Sequence, residues 1–233
     1  MNPFTSDIHE NFRQRVRKFA EEVIKPEARI LDQEERFSPE LTKKMGEQGL
    51  FGIAVPKEYG GQGLDYMSLV IAVEEIARVD GSQAATIAAV NSLGIGPIAK
   101  YGTKEQKQKY LPPLTSGDKI WAFGLTERGA GSDSGSTTTT AKLEDGYWII
   151  NGSKMFISNS ASDMSAGITL QAITGKVGDR NEYSTILVNS DTEGYTRKRI
   201  NNKLVWRAAD TGELYFKDVK VPESNLLGKR GKG

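Results

Sequence analysis

The chain has 233 residues, with 31 Lys and Arg against 30 Asp and Glu, a single histidine and no cysteine. Near-balanced charge gives no field to draw the chain to nucleic acid or an anionic membrane; the missing cysteines remove disulfides, thiolate nucleophiles and Cys-type zinc sites; and one histidine excludes Ser-His-Asp and Cys-His catalysis and multi-histidine metal sites. A hydrophobic fraction of 37% supports ordinary cores, and the polar start MNPFTSDIHENFRQRVRKFA, with no apolar run long enough to cross a bilayer, reads as a cytoplasmic protein without a signal peptide.

Helical spacing comes first. Phe12, Val16, Phe19, Ala20 and Val23 form one apolar face of a helix that is expected to end before Pro26. His9 lies among polar residues near its start and is read as solvated. Ser38-Pro39 supplies an N-cap and a first-turn proline, and Gly49 a stop. The segment 66–79 is apolar almost all round and predicts a central helix packed on several sides and closed by Asp80-Gly81. A small-residue helix follows, then TKEQKQKYLPPL, where Thr103 and Gln106 have capping-box spacing.

From Lys119 the grammar becomes β-branched and aromatic. Runs beginning at Ile120, Ser136, Tyr147, Ala166, Ser184, Tyr195 and Gly212 alternate with Gly, Asn and Asp turns, and Glu144-Asp145-Gly146 marks a hairpin. The fold class predicted is α+β multidomain: an all-α domain over 1–118, then a small β-barrel or sandwich over 119–233, with a boundary near Gly117-Asp118. The last residues, LLGKRGKG, have linker composition.

Three segments are candidates for chemistry. FGLTERGAGSDSGSTTTT (123–140) concentrates Gly124, Gly129, Gly131 and Gly135 before a threonine run; it is either a structural turn or a loop presenting N–H groups and hydroxyls to a phosphate-bearing ligand. It lacks P-loop and dinucleotide-fold spacing. In NGSKMFISNS (151–160), Asn151-Gly152 is read as a turn, and strand alternation places Phe156 and Ser158 on one face, as a stacking and hydrogen-bonding pair or as ordinary sheet residues. VPKEYGGQGLD (55–65) reads as a tight interhelical loop, and YTRKRINNK (195–203), either a solvated strand face or a basic run that meets a ligand's phosphates, is left unassigned.

In their order, VPKEYGGQGLD, FGLTERGAGSD, INGSKMFISNS, KLVWRAADTGELYFKDVKVP and NLLGK resemble the acyl-CoA dehydrogenase family, most nearly its short-chain, butyryl-CoA-type members, over essentially the whole chain. The resemblance implies an oxidoreductase of fatty acid β-oxidation that binds FAD between the middle β-barrel and a C-terminal four-helix bundle. That bundle, absent from these residues, would carry the catalytic glutamate beyond Gly233, so that the chain is expected to be a fragment without the base. Further implications are an acyl-CoA substrate, reoxidation by an electron-transferring flavoprotein, and a homo-oligomeric full-length enzyme.

Carried over motif by motif, Phe123, Leu125, Thr126, Gly131 and Ser132 would line the flavin, with Ser132 also meeting the acyl-CoA. Phe156, Ile157 and Ser158 would cover its other side, the Ser158 hydroxyl directed at N5. No catalytic residue and no metal ligand is assigned. Glu127 is read as a loop-organising carboxylate. Arg128, Phe156 and Ser158 stand where the family usually has proline, tryptophan and threonine; Arg128 would either loosen the loop or reach a phosphate. Two alternatives remain open: a flavin monooxygenase or oxidase of the same superfamily, and a non-catalytic truncated paralogue that docks on a partner.

Overall fold

The computed structural model describes residues 6–233; residues 1–5, the first of the polar amino-terminal stretch read as lacking a signal peptide, lie outside the described residues. Seven α-helices come first, α1 (Asp7–Phe19), α2 (Lys25–Gln33), α3 (Pro39–Glu47), α4 (Tyr66–Ala77), α5 (Gly81–Ala89), α6 (Gly96–Tyr101) and α7 (Lys104–Thr115). Eight strands follow, β1 (Ile120–Gly124), β2 (Thr140–Glu144), β3 (Tyr147–Ser158), β4 (Ser165–Val177), β5 (Arg180–Asn189), β6 (Tyr195–Arg199), β7 (Thr211–Pro222) and β8 (Leu226–Leu227). The result is an α+β fold with a mixed sheet in the order β6-β7-β3-β2-β4-β5-β8 and β1 parallel to β4. Among the described residues its end strands β6 and β8 do not pair, so the sheet is open.

Capping chemistry sets several helix starts. The Ser38 hydroxyl accepts the Leu41 N–H at 3.1 Å, with Pro39 in the first turn. Thr103 and Gln106 form the expected reciprocal cap of α7. Asp80 accepts the Ser82 N–H at 2.7 Å and opens α5, so Asp80-Gly81 starts a helix in addition to following one. Pro26 does not end the first helix: a π-helical turn over Ala20–Ile24 precedes it, and Pro26 sits in the first turn of α2. The wider turn gives the chain a way past a residue with no N–H. Helix α4 packs on several sides, against α1, α5 and the π-helical turn at 20–24, with Ile71 and Ile76 buried, and leaves Tyr66 and Val70 exposed.

His9 is not solvated. Its ring takes part in the α1 capping box with Ser6, and its Nε2 lies 2.9 Å from the Asp65 carboxylate at the N-cap of α4, tying two helix starts together. Glu75, almost fully buried on α4, receives Arg13, Arg17 and Arg78 at 2.6 to 3.1 Å and clamps α1 to α4.

In the second half, Asp145 and Gly146 both take positive φ, and the β2–β3 hairpin forms as the sequence indicated. Asn151-Gly152 does not turn; both lie inside β3, which passes a register shift there. Thr139 fills the space a Gly152 side chain would need. The basic run is divided: Thr196 and Lys198 are exposed, whereas Arg197 reaches Ser165 O and Arg199 reaches Glu35 O on the helical side. The chain's last residues pack as well, with Leu226 and Leu227 paired to β5 and Arg230 on Glu182 at 2.7 Å.

One apolar core spans both halves. Trp121 of β1 is buried against Tyr110 of α7, with ring centroids 5.0 Å apart, and its indole N–H donates to the Thr169 hydroxyl at 3.0 Å. A second π-helical turn, Val90–Ile95, lies beside β1, and a Cβ at Gly94 would stand 2.5 Å from the Trp121 carbonyl. Asn91 satisfies the disturbed ladder by bonding Ile53 N–H, Leu50 O and Ile87 O. Gly94→Val is therefore expected to cost about 1–3 kcal/mol by overpacking, read as a lower urea midpoint; wild-type stability would mean that helix and strand do not meet this closely.

Candidate functional site

Strand β1 delivers its carboxyl end to the side of β3, and the two candidate segments meet there. Thr126 O accepts the Met155 N–H at 2.8 Å, so residues 125–126 run along 154–155. Phe123, at the end of β1, opens into a cleft of about 910 Å³ between the halves, where Leu93, Pro97 and Tyr101 are its helical wall and Leu227 its strand wall. Lys100, Lys229 and Lys232 stand on the same cleft, and no acidic residue lines it. Apolar walls with a cationic rim suit a ligand with a hydrocarbon part and an anionic part.

Phe156 is 61% exposed and has φ +60°. A bulky aromatic in the left-handed region costs of order 1–3 kcal/mol, and such residues concentrate at functional sites. The distortion belongs to a bulge: the β3–β7 register shifts between Lys154 and Ile157. Unbroken alternation would put Lys154 on the same face as Phe156 and Ser158; the bulge changes the phase, so Lys154 is buried while Phe156 and Ser158 are exposed. Ile157 is buried in the sheet's core and offers only its backbone to a ligand. Ser158 pairs with Thr211 of β7, and its hydroxyl has no hydrogen-bond partner among the described residues.

Behind this surface lies an ion pair that sequence reasoning only half found. Glu127, read as a loop organiser, accepts the Thr138 N–H at 2.7 Å, the Thr138 hydroxyl at 2.8 Å and the Thr139 N–H at 3.0 Å. Its fourth partner is Lys154, whose Nζ lies 2.9 Å from Glu127 Oε1 and donates also to Leu125 O at 3.0 Å. Both side chains are buried, Lys154 completely. Burial alone would raise the Glu127 pKa; the hydrogen bonds from Thr139, Lys154 and Thr138 outweigh it and hold the carboxyl at about 2. Burial pushes the Lys154 ammonium down, against the pull of Glu127. Such a pair rigidifies more than it stabilises.

Residues 128–137 form the loop closed at its base by Glu127. Arg128, Gly131 and Ser132 are exposed on it, and a Cβ added at Gly129 or Gly131 would meet nothing within 4 Å. Tyr183 donates to Gly135 O and holds the far side of the loop to β5. The structure thus brings Phe123, Leu125 and Thr126 beside Lys154–Ser158, and leaves Gly131 and Ser132 on the open loop. Thr126 is half-buried, and neither its N–H nor its hydroxyl has a hydrogen-bond partner among the described residues. Among the described residues no cluster of acidic or histidine side chains could hold a metal ion, and no helix is long and apolar enough to cross a membrane.

Residues 6–118 match the family described as "Acyl-CoA dehydrogenase, N-terminal domain", and residues 122–219 the family described as "Acyl-CoA dehydrogenase, middle domain". The chain is 44% identical over 221 residues to the "Acyl-CoA dehydrogenase, short-chain specific" of Clostridium acetobutylicum, an overlap of 95% of this chain and 58% of that relative. A solved structure described as "Electron transferring flavoprotein of Acidaminococcus fermentans" superposes with TM-score 0.94 at 37% identity, over 100% of this chain and 61% of that one. An acyl-CoA dehydrogenase complexed with FAD from Bacillus anthracis superposes with TM-score 0.90 at 34% identity, over 100% of this chain and 39% of that one. The chain spans 58% of the length of the Clostridium relative.

Proposed function

Because the chain belongs to the acyl-CoA dehydrogenase family, we propose that it builds one wall of an FAD site serving α,β-dehydrogenation of acyl-CoA thioesters. The observation that carries the reading is the strained, exposed Phe156 beside the unpartnered Thr126 N–H and hydroxyl. A planar ring whose one edge carries alternating acceptors and donors fits an aromatic face flanked by free polar groups. In this reading Phe123, Leu125, Thr126, Gly131 and Ser132 hold the cofactor from the loop side, and Phe156, the Ile157 backbone and Ser158 from the strand side. Bound FAD supplies a hydride acceptor, which no side chain of this chain can provide.

The chain's own contributions are binding, orientation and exclusion of water. Phe156 stacks; Thr126 and Ser158 orient by hydrogen bonds; Ser132, on the open loop, meets the substrate's polar part. The cleft at Phe123 takes the acyl chain between Leu93, Pro97 and Tyr101, and the lysines on its rim face the anionic part of the thioester. No Asp or Glu side chain lines the cleft, and Glu127 is locked in its buried pair, so we assign no base among these residues. The reading extends to two structural units, 1–118 and 119–233, the second a small barrel-like β domain. It extends also to a cytoplasmic, homo-oligomeric enzyme reoxidised by an electron-transferring flavoprotein.

The test is to titrate the purified protein with FAD and then with butyryl-CoA in the absence of oxygen. Stoichiometric uptake of FAD is expected, with little or no bleaching of the flavin band because these residues supply no base; full bleaching would show that a base is present among them. Uptake without bleaching, but with oxygen consumption once the flavin is reduced by NADH, would favour the monooxygenase class instead. Phe156→Ala is expected to weaken FAD binding about tenfold, the loss of one aromatic contact worth roughly 1.4 kcal/mol, read by quenching of flavin fluorescence. Unchanged affinity would remove Phe156 from the site.

A further inference from the structure

Lys154 is a fully buried ammonium placed directly behind the surface assigned to the flavin. Stability does not call for a charge there. A buried ion pair usually contributes no more than a well-packed neutral pair of similar volume, and Glu127 already has three other donors. What the charge reaches besides Glu127 is a single backbone atom, the carbonyl oxygen of Leu125.

That contact fixes a direction. The Leu125–Thr126 peptide is planar and trans, as are all peptide bonds of the described residues, so its N–H points opposite to its C=O. With Lys154 on the Leu125 carbonyl, the Thr126 N–H is turned away from the buried pair, toward the side where it has no partner. The next carbonyl, Thr126 O, is held by the Met155 N–H, so the peptide cannot rotate without losing both bonds. A cation on a carbonyl also polarises the amide and strengthens its N–H as a donor.

We propose that Lys154 is a positioning residue for the flavin site: it aims and polarises the Thr126 N–H, which then favours negative charge on whatever ligand atom stands opposite. This rests on the FAD reading above, in which that atom belongs to the ring edge that carries alternating acceptors and donors, and it implies that Lys154 biases the site toward the reduced, more electron-rich form of the cofactor. Glu127 has the complementary role of making a buried cation tolerable.

The experiment compares the full-length protein loaded with FAD, unmutated and as Lys154→Met/Glu127→Gln, by thermal unfolding, FAD affinity and reduction potential. The double variant buries no unpaired charge, so its unfolding temperature is expected to stay close to that of the unmutated protein. Its preference for reduced over oxidised FAD is expected to fall roughly tenfold, a potential lower by about 30 mV for a two-electron couple. An unshifted potential overturns the proposal, because Lys154 would then serve only to neutralise Glu127. Failure of the unmutated protein to take up FAD overturns the flavin reading itself, and this role with it.

Should the double variant not fold, Lys154→Cys carries the test, made in the 233-residue chain, which has no other cysteine. Alkylated in the unfolded state with 2-bromoethylamine and refolded, it regains an ammonium at nearly the original reach. The unalkylated variant should show the lowered potential and the alkylated one the restored value; the same potential in both contradicts the proposal.

Discussion

Glu127→Ala is expected to destabilise the protein by about 3–5 kcal/mol, the cost of breaking a buried pair from one side. The substitution leaves the Lys154 ammonium without a counter-charge in a site that excludes water, and withdraws the acceptor from the Thr138 and Thr139 N–H groups and the Thr138 hydroxyl. The Thr139 N–H, the one of these donors that is buried, adds its own desolvation penalty. Urea unfolding should show a lower midpoint with an unchanged slope, since folded and unfolded states expose the same surface as before. Hydrogen exchange should quicken at Thr138 and Thr139 ahead of the rest of the sheet, because these amides close the base of the 128–137 loop. A loss below about 1 kcal/mol, the worth of an exposed pair, would mean that water reaches the pair in solution. FAD affinity should fall along with stability, for the loop carrying Gly131 and Ser132 and the peptide at Leu125 both hang on this carboxylate.

The contrast between Glu127 and Lys154 shows where sequence reading reaches and where it stops. Caps were legible because they are local: Ser38, Thr103 and the Asp145-Gly146 hairpin each act within a few residues. Glu127 was legible as a loop organiser because it sits in a glycine-rich loop, where a carboxylate has backbone N–H groups to accept. Its partner Lys154 lies 27 residues away on β3, and no motif singles it out. The bulge that buries it arises from Phe156 taking positive φ, and nothing in the tetrapeptide Lys-Met-Phe-Ile announces that. The same cause misplaced Asn151-Gly152: a dipeptide that makes hairpins in isolation is held inside β3 by pairing with β7 and by Thr139 against the glycine. His9 was missed for lack of Asp65, 56 residues on. A π-helical turn ahead of Pro26 leaves no composition signal at all. Phe123, Thr126, Phe156 and Ser158 were named from the order of motifs, whereas the strain at Phe156 and the free N–H at Thr126 are properties of the folded backbone alone.

Acid should unfold this protein through two carboxylates, one in each half. Glu127 and Glu75 are both held at about 2, Glu75 chiefly by the hydrogen bond from Arg17 against the penalty of its burial, with Arg13 and Arg78 assisting. A carboxyl whose folded pKa is depressed contributes stability that is fully present above its unfolded value, near 4.3, and is lost as pH falls through the folded one. For Glu127, a depression from the ordinary 4.5 to about 2 corresponds to roughly 3 kcal/mol. Glu75 contributes less, about 1–2 kcal/mol, because Arg17 and Arg78 are half exposed and solvent screens their charge. Asp65 is also held at about 2, first by the Ser68 N–H and then by His9, but it lies open to solvent and adds little. Asp80 works in the other direction: burial raises its pKa, so protonation relieves a cost there and blunts the fall. The net loss of about 4–5 kcal/mol between pH 5 and 2 is comparable to the whole stability of many domains. Urea midpoints are expected to hold from pH 7 to 5 and then to drop steeply. Glu75→Gln should start lower at pH 7 and show a shallower drop, because one of the two titrating groups is gone while the Glu127 contribution remains. A midpoint that stays level from pH 6 to pH 3 would show that neither carboxylate is held as its contacts require.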